Sequence, residues 1–249
     1  MSNKYRLEGE PRRISLRGLG KVFLELIIIV IGIYLAFALE EYGQKKKERQ
    51  LEVKYLKELL SEARANQTEL NADQDARREQ RALFGELLDA VNRQVGDDTL
   101  RSAVRELTVN RLFSPTDAVY QDLVSSGNLK LIQSDTIRKT IISYKQRLAR
   151  APVTEAVEER LIEEKIEPYL LQRKVLSLIE PLTDVDQISI SDQQIDRIIR
   201  VLLNDREFID LVYLRYSRLD DVIYFETPLQ WSLRDLIRLI EDEVKRLEE

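Results

Sequence analysis

VFLELIIIVIGIYLAFAL, residues 22–39, is the stretch on which the architecture turns. It holds a single charge, Glu25, and at 1.5 Å rise per residue it extends about 27 Å, close to the hydrocarbon thickness of a bilayer. The stretch therefore predicts a membrane-spanning helix. Glu40, Glu41 and Tyr42 follow it where a cleavable signal would place small residues, so the segment reads as an uncleaved anchor. Within it, Gly32 and Ala36 lie four residues apart, a spacing that lets a second membrane helix pack closely. Glu25 sits one turn from the end, four residues after Lys21, and the two are expected to pair at the headgroup boundary.

Outward from the span, charge is asymmetric. Of 39 basic and 44 acidic groups, residues 1–39 hold Lys4, Arg6, Arg12, Arg13, Arg17 and Lys21 against Glu8, Glu10 and Glu25. The remainder is net acidic by eight charges. A basic tail of this kind suits anionic lipid, whereas an acidic body repels phosphate backbones, so membrane lipid is an expected contact and nucleic acid is not. Lys45, Lys46, Lys47, Arg49, Lys54 and Lys57 follow the span and nearly match the basic residues before it, but Glu40, Glu41, Glu48 and Glu52 are interleaved there, and long domains cross regardless of charge whereas a short basic tail does not. The expected placement is the bacterial inner membrane, single-pass, with a cytoplasmic N-terminus and a periplasmic C-terminal domain.

The 249 residues contain no cysteine and no histidine, which removes disulfides, thiol nucleophiles, imidazole catalysis and the usual zinc sites. Ser125 and Ser126 beside Gly127 lack a glycine elbow and a histidine base, and no glycine-rich phosphate loop occurs. Glu163 and Glu167 are neighbours on one helix surface and do not flank a substrate. The acidic run Glu158, Glu159, Glu163, Glu164 and Glu167 reads as a solvated helix face, with neither a histidine nor an aspartate-glycine loop beside it to make a metal site. A non-catalytic protein without metal or cofactor is the expectation.

Few glycines and prolines and abundant Leu, Ile, Glu, Arg and Lys predict an all-α chain. With no proline between Pro11 and Pro115, the membrane helix is expected to continue to about residue 95 as a stalk. Its seam would be Val53, Leu56, Leu60, Ala63, Gln67, Leu70, Gln74, Arg77, Arg81, Phe84, Leu88, Val91 and Val95, interrupted by polar residues. That interruption favours packing against other helices of the chain, with self-association through the stalk as the lesser possibility.

The resulting organisation is a basic tail (1–21), a transmembrane helix (22–39), a stalk helix (40–96) and a helical bundle packed with the stalk (97–249). Within the bundle, Gly96–Thr99 reads as a turn, Leu100, Val104 and Leu107 as a short amphipathic helix, and Ser114 with Pro115 and Asp117 as a helix start. Gly127 closes that helix, and Ser134 opens one with Ile137, Ile141, Tyr144 and Leu148 inward. Val153, Val157, Leu161 and Ile162 suggest the next buried stripe, and Pro181–Ser189 a loop. Ser191 with Gln194, and Asn204 with Glu207, have capping-box form. The last helix, bent or broken at Pro228, carries Leu233, Leu236, Ile240, Val244 and Leu247.

Three segments carry a family resemblance: ELIIIVIGIYLAFALEEYGQKKKERQLEVKYLKEL, AVYQDLVSSGNLKLIQSDTIRKTIISY and REFIDLVYLRYSRLDDVIYFETPLQWSLRDLIRLIEDEV. In their order they resemble an uncharacterised family of bacterial single-pass membrane proteins, a domain of unknown function widespread in the Bacteroidota. Members usually follow the span with an Asn-rich, Trp-containing junction, where this chain has Glu40, Glu41 and Tyr42. The resemblance implies architecture and membrane attachment and carries no activity.

Two function classes follow from these readings. The first is an accessory or scaffolding subunit of a larger membrane assembly, with Tyr213, Tyr216, Tyr224, Phe225 and Trp231 as the candidate interface. The second is a membrane-anchored helical sensor, which would need a separate transducer because the residues before the span hold no output domain.

Overall fold

The computed structural model describes residues 16–93, 98–175 and 192–249, and every element among them is helical. The first helix, α1, is Leu16–Arg93, seventy-eight residues without a break, as expected where neither proline nor a glycine cap interrupts the chain. Near its start it is long and apolar enough to cross a membrane, with a mean hydropathy of 2.4 over the best window and none of that window buried. The chain divides into two compact units, Met1–Leu51 and Glu52–Glu249. Residues 52–93 thus belong to the same unit as the bundle.

Within the second unit the remaining elements are α2 (Asp98–Glu106), α3 (Ala118–Ser125), a 3-10 turn (Asn128–Leu131), α4 (Asp135–Leu148), α5 (Ala151–Leu161), a π-turn (Ile162–Ile166), α6 (Glu167–Gln172), α7 (Asp192–Leu203) and α8 (Arg206–Glu248). The second half of α1 and α8 run antiparallel in one steady register. Lys57 meets Glu248 at 2.5 Å, Arg64 meets Glu241 at 2.7 Å, Gln230 reaches Asn71 at 2.7 Å, and Arg81 pairs with Asp220. These surface pairs set register more than stability, each being worth about 0–1 kcal/mol.

Between the two long helices lie two apolar cores. One gathers Phe84 and Leu87 of α1, Leu100, Val104 and Leu107 around α2, Ile166 and Leu170, and Phe208, Val212 and Leu219 of α8. The other gathers Leu56, Leu59 and Leu70 of α1, Ile132, Ile137 and Ile141, and Leu229, Leu233 and Ile240 of α8. The residues that separate them are polar and buried: Gln74, Arg77, Gln80, Glu155, Glu158, Arg215 and Glu226.

Several expected boundaries move. The inward face of α1 is Glu52, Leu56, Leu59, Ala63, Asn66, Leu70, Gln74, Arg77, Gln80, Phe84, Leu87 and Ala90, so six expected seam positions, Val53, Leu60, Gln67, Arg81, Leu88 and Val91, are displaced by one residue onto the half-buried flank. The steps of three and four residues are kept, and the buried face lies one residue earlier at those positions. Val95, the Gly96–Thr99 turn up to residue 97, Pro181–Ser189 and Ser191 lie outside the described residues. Ser114 does not open a helix. Residues 109–117 are irregular and α3 begins after Asp117.

Asp205, rather than Asn204, caps α8 by accepting from the Glu207 amide at 3.0 Å, while Asn204 bonds back to the Arg200 carbonyl. Ser134 does cap α4, Ile137, Ile141 and Tyr144 are buried with Leu148 half-buried, and Gly127 adopts a φ of 71° at the end of α3, the left-handed region that favours glycine.

Both internal prolines of the later helices are absorbed. Just before Pro168 the helix widens by one residue: the Glu167 amide donates to the Ile162 carbonyl, five residues back, and the proline enters where its missing N–H is tolerated. At Pro228 helix α8 continues, with the Thr227 hydroxyl donating to Ile223 O at 2.8 Å and the Ser232 hydroxyl to Pro228 O at 2.9 Å.

The irregular segment 109–117 has no helical partners for its backbone, and side chains supply them. Thr116 is held from both sides by Asn66, whose Oδ1 accepts from Thr116 N at 2.8 Å and whose Nδ2 donates to Thr116 O at 2.7 Å. Glu69 accepts from Ser114 N and Gln80 donates to Val109 O at 3.0 Å, while just past the segment Glu62 accepts from Val119 N in the first turn of α3. These bonds explain why a buried helix face carries amides and carboxylates: it faces bare backbone instead of another helix.

Asn66→Ala is expected to lose about 0.5–1.5 kcal/mol, because two part-buried backbone bonds to Thr116 are lost. Hydrogen exchange at the Thr116 amide should accelerate well beyond that of α4. Unchanged protection there would show that Asn66 does not hold the segment.

Candidate functional site

Arg77 projects from α1 into the layer between the two cores and is fully buried. Its guanidinium bonds Asp73 at 2.7 Å and Glu158 at 2.9 Å, approaches Glu226 at 3.4 Å and Glu155 at 3.5 Å, and donates to the Arg111 carbonyl. Arg215, equally buried on α8, pairs with Glu158 from the other side and donates to Val109 O at 2.8 Å. Glu155 also accepts from the Phe113 amide at 2.9 Å. The layer therefore clamps α1, α5, α8 and the irregular segment at one level.

This placement corrects the reading of α5. Glu158 is not part of a solvated face; it is 1% exposed, whereas Val153 and Val157 point outward at 68% and 41%. Two arginines from neighbouring helices make the inward carboxylates favourable, and periodicity cannot reveal that compensation because it scores Glu as a surface residue. The other members of the acidic run, Glu159, Glu163, Glu164 and Glu167, are exposed or half-buried. Among the described residues no group of acidic side chains is arranged to hold a metal ion.

Charge in the layer is nearly balanced. Apart from Asp73 at its edge, two arginines face three buried carboxyls, Glu155, Glu158 and Glu226. Glu226 is the odd member. It is 3% exposed, neither of its oxygens has a hydrogen-bond partner, and burial pushes its pKa up to about 7 against the pull of Arg77. Burial likewise raises the pKa of Glu155, which its backbone bond and Arg77 partly offset. With Glu226 protonated, the layer's deep charges cancel, and a carboxylic acid is left holding an undirected donor.

A cavity of about 90 Å³ lies beside Glu226, whose two carboxyl oxygens stay closed to water. Val222, Phe225, Pro228 and Leu229 of α8 and Ala151 of α5 give it apolar walls, Thr154 adds a hydroxyl, and Arg147 and Arg150 stand at its edge. Both arginines are exposed and enter no ion pair among the described residues. The site carries no sequence signal of its own, because its members come from α4, α5 and α8 and Glu226 beside Pro228 forms no motif.

Apart from Phe225, which lines this cavity, the candidate interface and membrane residues named from the sequence lie elsewhere. Gly32 and Ala36 are exposed on the apolar part of α1, and a Cβ added at Gly32 would meet nothing within 4 Å. Glu25 is exposed, and the Lys21 side chain of the expected pair lies outside the described residues. On α8, Tyr213, Tyr224 and Trp231 are 65%, 76% and 60% exposed. Steps of eleven and seven residues bring those three to one side of the helix, about three and two turns apart. Phe225, 60% exposed, meets Tyr224 edge-on at 5.9 Å. Tyr216 is set apart: it is half-buried, its ring lies 4.2 Å from the Arg81 guanidinium, and its edge packs 3.6 Å from where a Gly85 Cβ would stand.

What these features define is an all-helical protein with one helix suited to a bilayer and a bundle zipped by buried charge. Family models, curated proteins and solved structures provide no match to this chain.

Proposed function

We propose that this chain is a membrane-anchored, non-catalytic accessory or scaffolding subunit of a bacterial inner-membrane assembly, working through contacts of its membrane helix and its helical domain. Its N-terminus is cytoplasmic and its domain periplasmic, with the chain belonging to the single-pass family it resembles. The observation that supports this reading is the line of Tyr213, Tyr224 and Trp231, three large aromatics in solvent on a helix whose opposite side is core. Aromatics of this type supply rigid contact area and dominate interface energetics. Gly32 and Ala36 offer the complementary surface within the bilayer.

Purification of the tagged full chain in mild detergent should return a stoichiometric membrane partner. Replacing Tyr213, Tyr224 and Trp231 together by serine is expected to weaken that association at least tenfold while leaving the thermal midpoint unchanged, since all three are exposed. Recovery of the chain alone at monomer mass would end the subunit reading. Protease treatment of spheroplasts tests the orientation, a fully protected C-terminal domain being the outcome that excludes it.

A further inference from the structure

We propose that the face of α1 just past the membrane span, formed by Tyr42, Lys45, Lys46 and Arg49, docks an anionic glycerophospholipid through its phosphate. The assignment rests on the reading of α1 as a membrane anchor and adds the class of lipid that this flank selects.

Three observations lead there. The first is how the helix sorts its charges. In sequence Glu40, Glu41 and Glu48 are mixed with Lys45, Lys46, Lys47 and Arg49, a flank with little net charge. Because α1 continues unbroken, each residue advances about 100° around the axis, and Tyr42, Lys45, Lys46 and Arg49 share an arc of about 100°. Glu41 and Glu48 stand at its edge, and Glu40 and Lys47 are on the far side. The edge acids have neighbours of their own: Lys45 bonds Glu41 at 2.6 Å and Gln44 donates to Glu48 at 3.2 Å. All four residues of the face are exposed, and Lys46 enters no ion pair among the described residues. An exposed pair such as that of Lys45 with Glu41 is weak, so the ammonium is free to turn to a phosphate.

The second is height and direction. Headgroups occupy about 5–7 Å outside the hydrocarbon on each side of a bilayer. Tyr42 lies three residues past Leu39, about 4.5 Å beyond the apolar run, and Lys45 and Lys46 lie about 9–11 Å beyond it. Cα–Cβ bonds tilt toward the N-terminus of a helix, which at this flank is toward the bilayer, so the lysine and arginine stems lean back into the headgroup layer. Tyr42, 69% exposed, places a ring with a polar tip at the boundary. The third is continuity with the apolar run. Ile31, Leu35 and Leu39 lie on the same side of the helix as Tyr42 and are more than half exposed, which gives an acyl chain a wall below the cations. Gly32 and Ala36 are about 80–120° round from Tyr42, so a lipid here leaves them open to a second helix. Phosphate oxygens accept from both ammonium and guanidinium, and a headgroup without a cation of its own leaves that charge to the protein.

Reconstitution of the full chain in phosphatidylcholine vesicles, with a trace of spin-labelled phosphatidylglycerol or spin-labelled phosphatidylcholine, reads which lipid the protein holds. The glycerol lipid should be held about fivefold or more over the choline lipid. That preference should fall in 1 M salt, where the screening length is about 3 Å. The variant K45Q/K46Q/R49Q, three exposed positions that leave the helix intact, should lose most of it. K47Q/K54Q, on the far side of the helix, should keep it, and R12Q/R13Q/R17Q in the basic tail should keep about half or more. Soluble glycerol phosphate should not displace the label. Equal holding of the two lipids, a preference that survives K45Q/K46Q/R49Q, or one that is lost in K47Q/K54Q or in the tail variant would overturn the assignment. Displacement by glycerol phosphate would reduce the face to a free-phosphate site and overturn the lipid. A chain that fails to float with the vesicles would overturn the anchor and the lipid face together, whereas insertion without a preference would remove the lipid face alone.

Discussion

Arg77→Met is expected to cost about 3–5 kcal/mol of stability, the loss that follows when one partner of a buried ion pair is removed and the other charges remain. Arg77 is the common partner of Asp73, Glu155, Glu158 and Glu226, and none of the last three is more than 5% exposed. Without it Arg215 still neutralises Glu158, but Glu155 and Glu226 keep no cation at hand and the Arg111 carbonyl loses its donor.

A loss of this size is a third or more of the stability of an ordinary domain. Urea unfolding of the detergent-solubilised full chain, followed by helical circular dichroism, would measure it. Salt should not reproduce the effect, because a pair sealed between two apolar cores is screened far less than a surface pair. Adding Glu155→Gln and Glu226→Gln to Arg77→Met should return part of the loss, since the uncompensated charge is the source of the cost. A change below about 1 kcal/mol in the single variant would mean that water reaches the layer and carries the charge instead.

The long helices were legible because their signals are local. The apolar run at 22–39, the absence of proline to residue 114, the Ser134 cap and the Gly127 stop each act within a turn or two, and each corresponds to a feature of the fold. The charged layer was not legible, for a physical reason. Burial of Glu158 depends on Arg77, eighty-one residues earlier, and on Arg215, fifty-seven later; periodicity assigns each of the three to solvent on its own.

The irregular run at 109–117 illustrates the same limit. Ser114, Pro115 and Asp117 have the composition of a helix start, and the competing claim on that backbone comes from Asn66, Glu69 and Glu155 on other helices. The polar residues that interrupt the α1 face were a visible trace of this arrangement. They marked where the helix meets something other than a helix, without saying which backbone it meets.

Glu226→Gln should change the pH dependence of stability more than any other single substitution at the layer. In the folded protein the carboxyl has its pKa raised from 4.5 to about 7, chiefly by burial. Between those values the folded state holds a proton that the unfolded chain has released, so stability is greatest below about pH 4.5 and declines as pH rises through 7. The displacement corresponds to about 3 kcal/mol between the two limits. Glutamine has the same shape and the same donor but does not titrate.

The variant should match the parent near pH 5 and exceed it near pH 8. Glu155, raised in the same direction, leaves a residual slope in both proteins, and the difference between the two curves isolates Glu226. Asp117 contributes with the opposite sign in a separate, more acidic window, because Gln121 and Lys145 hold its carboxyl below the usual value. Parallel stability curves for parent and variant from pH 5 to 8 would show that Glu226 is ionised throughout, and that Arg77 outweighs burial in the layer.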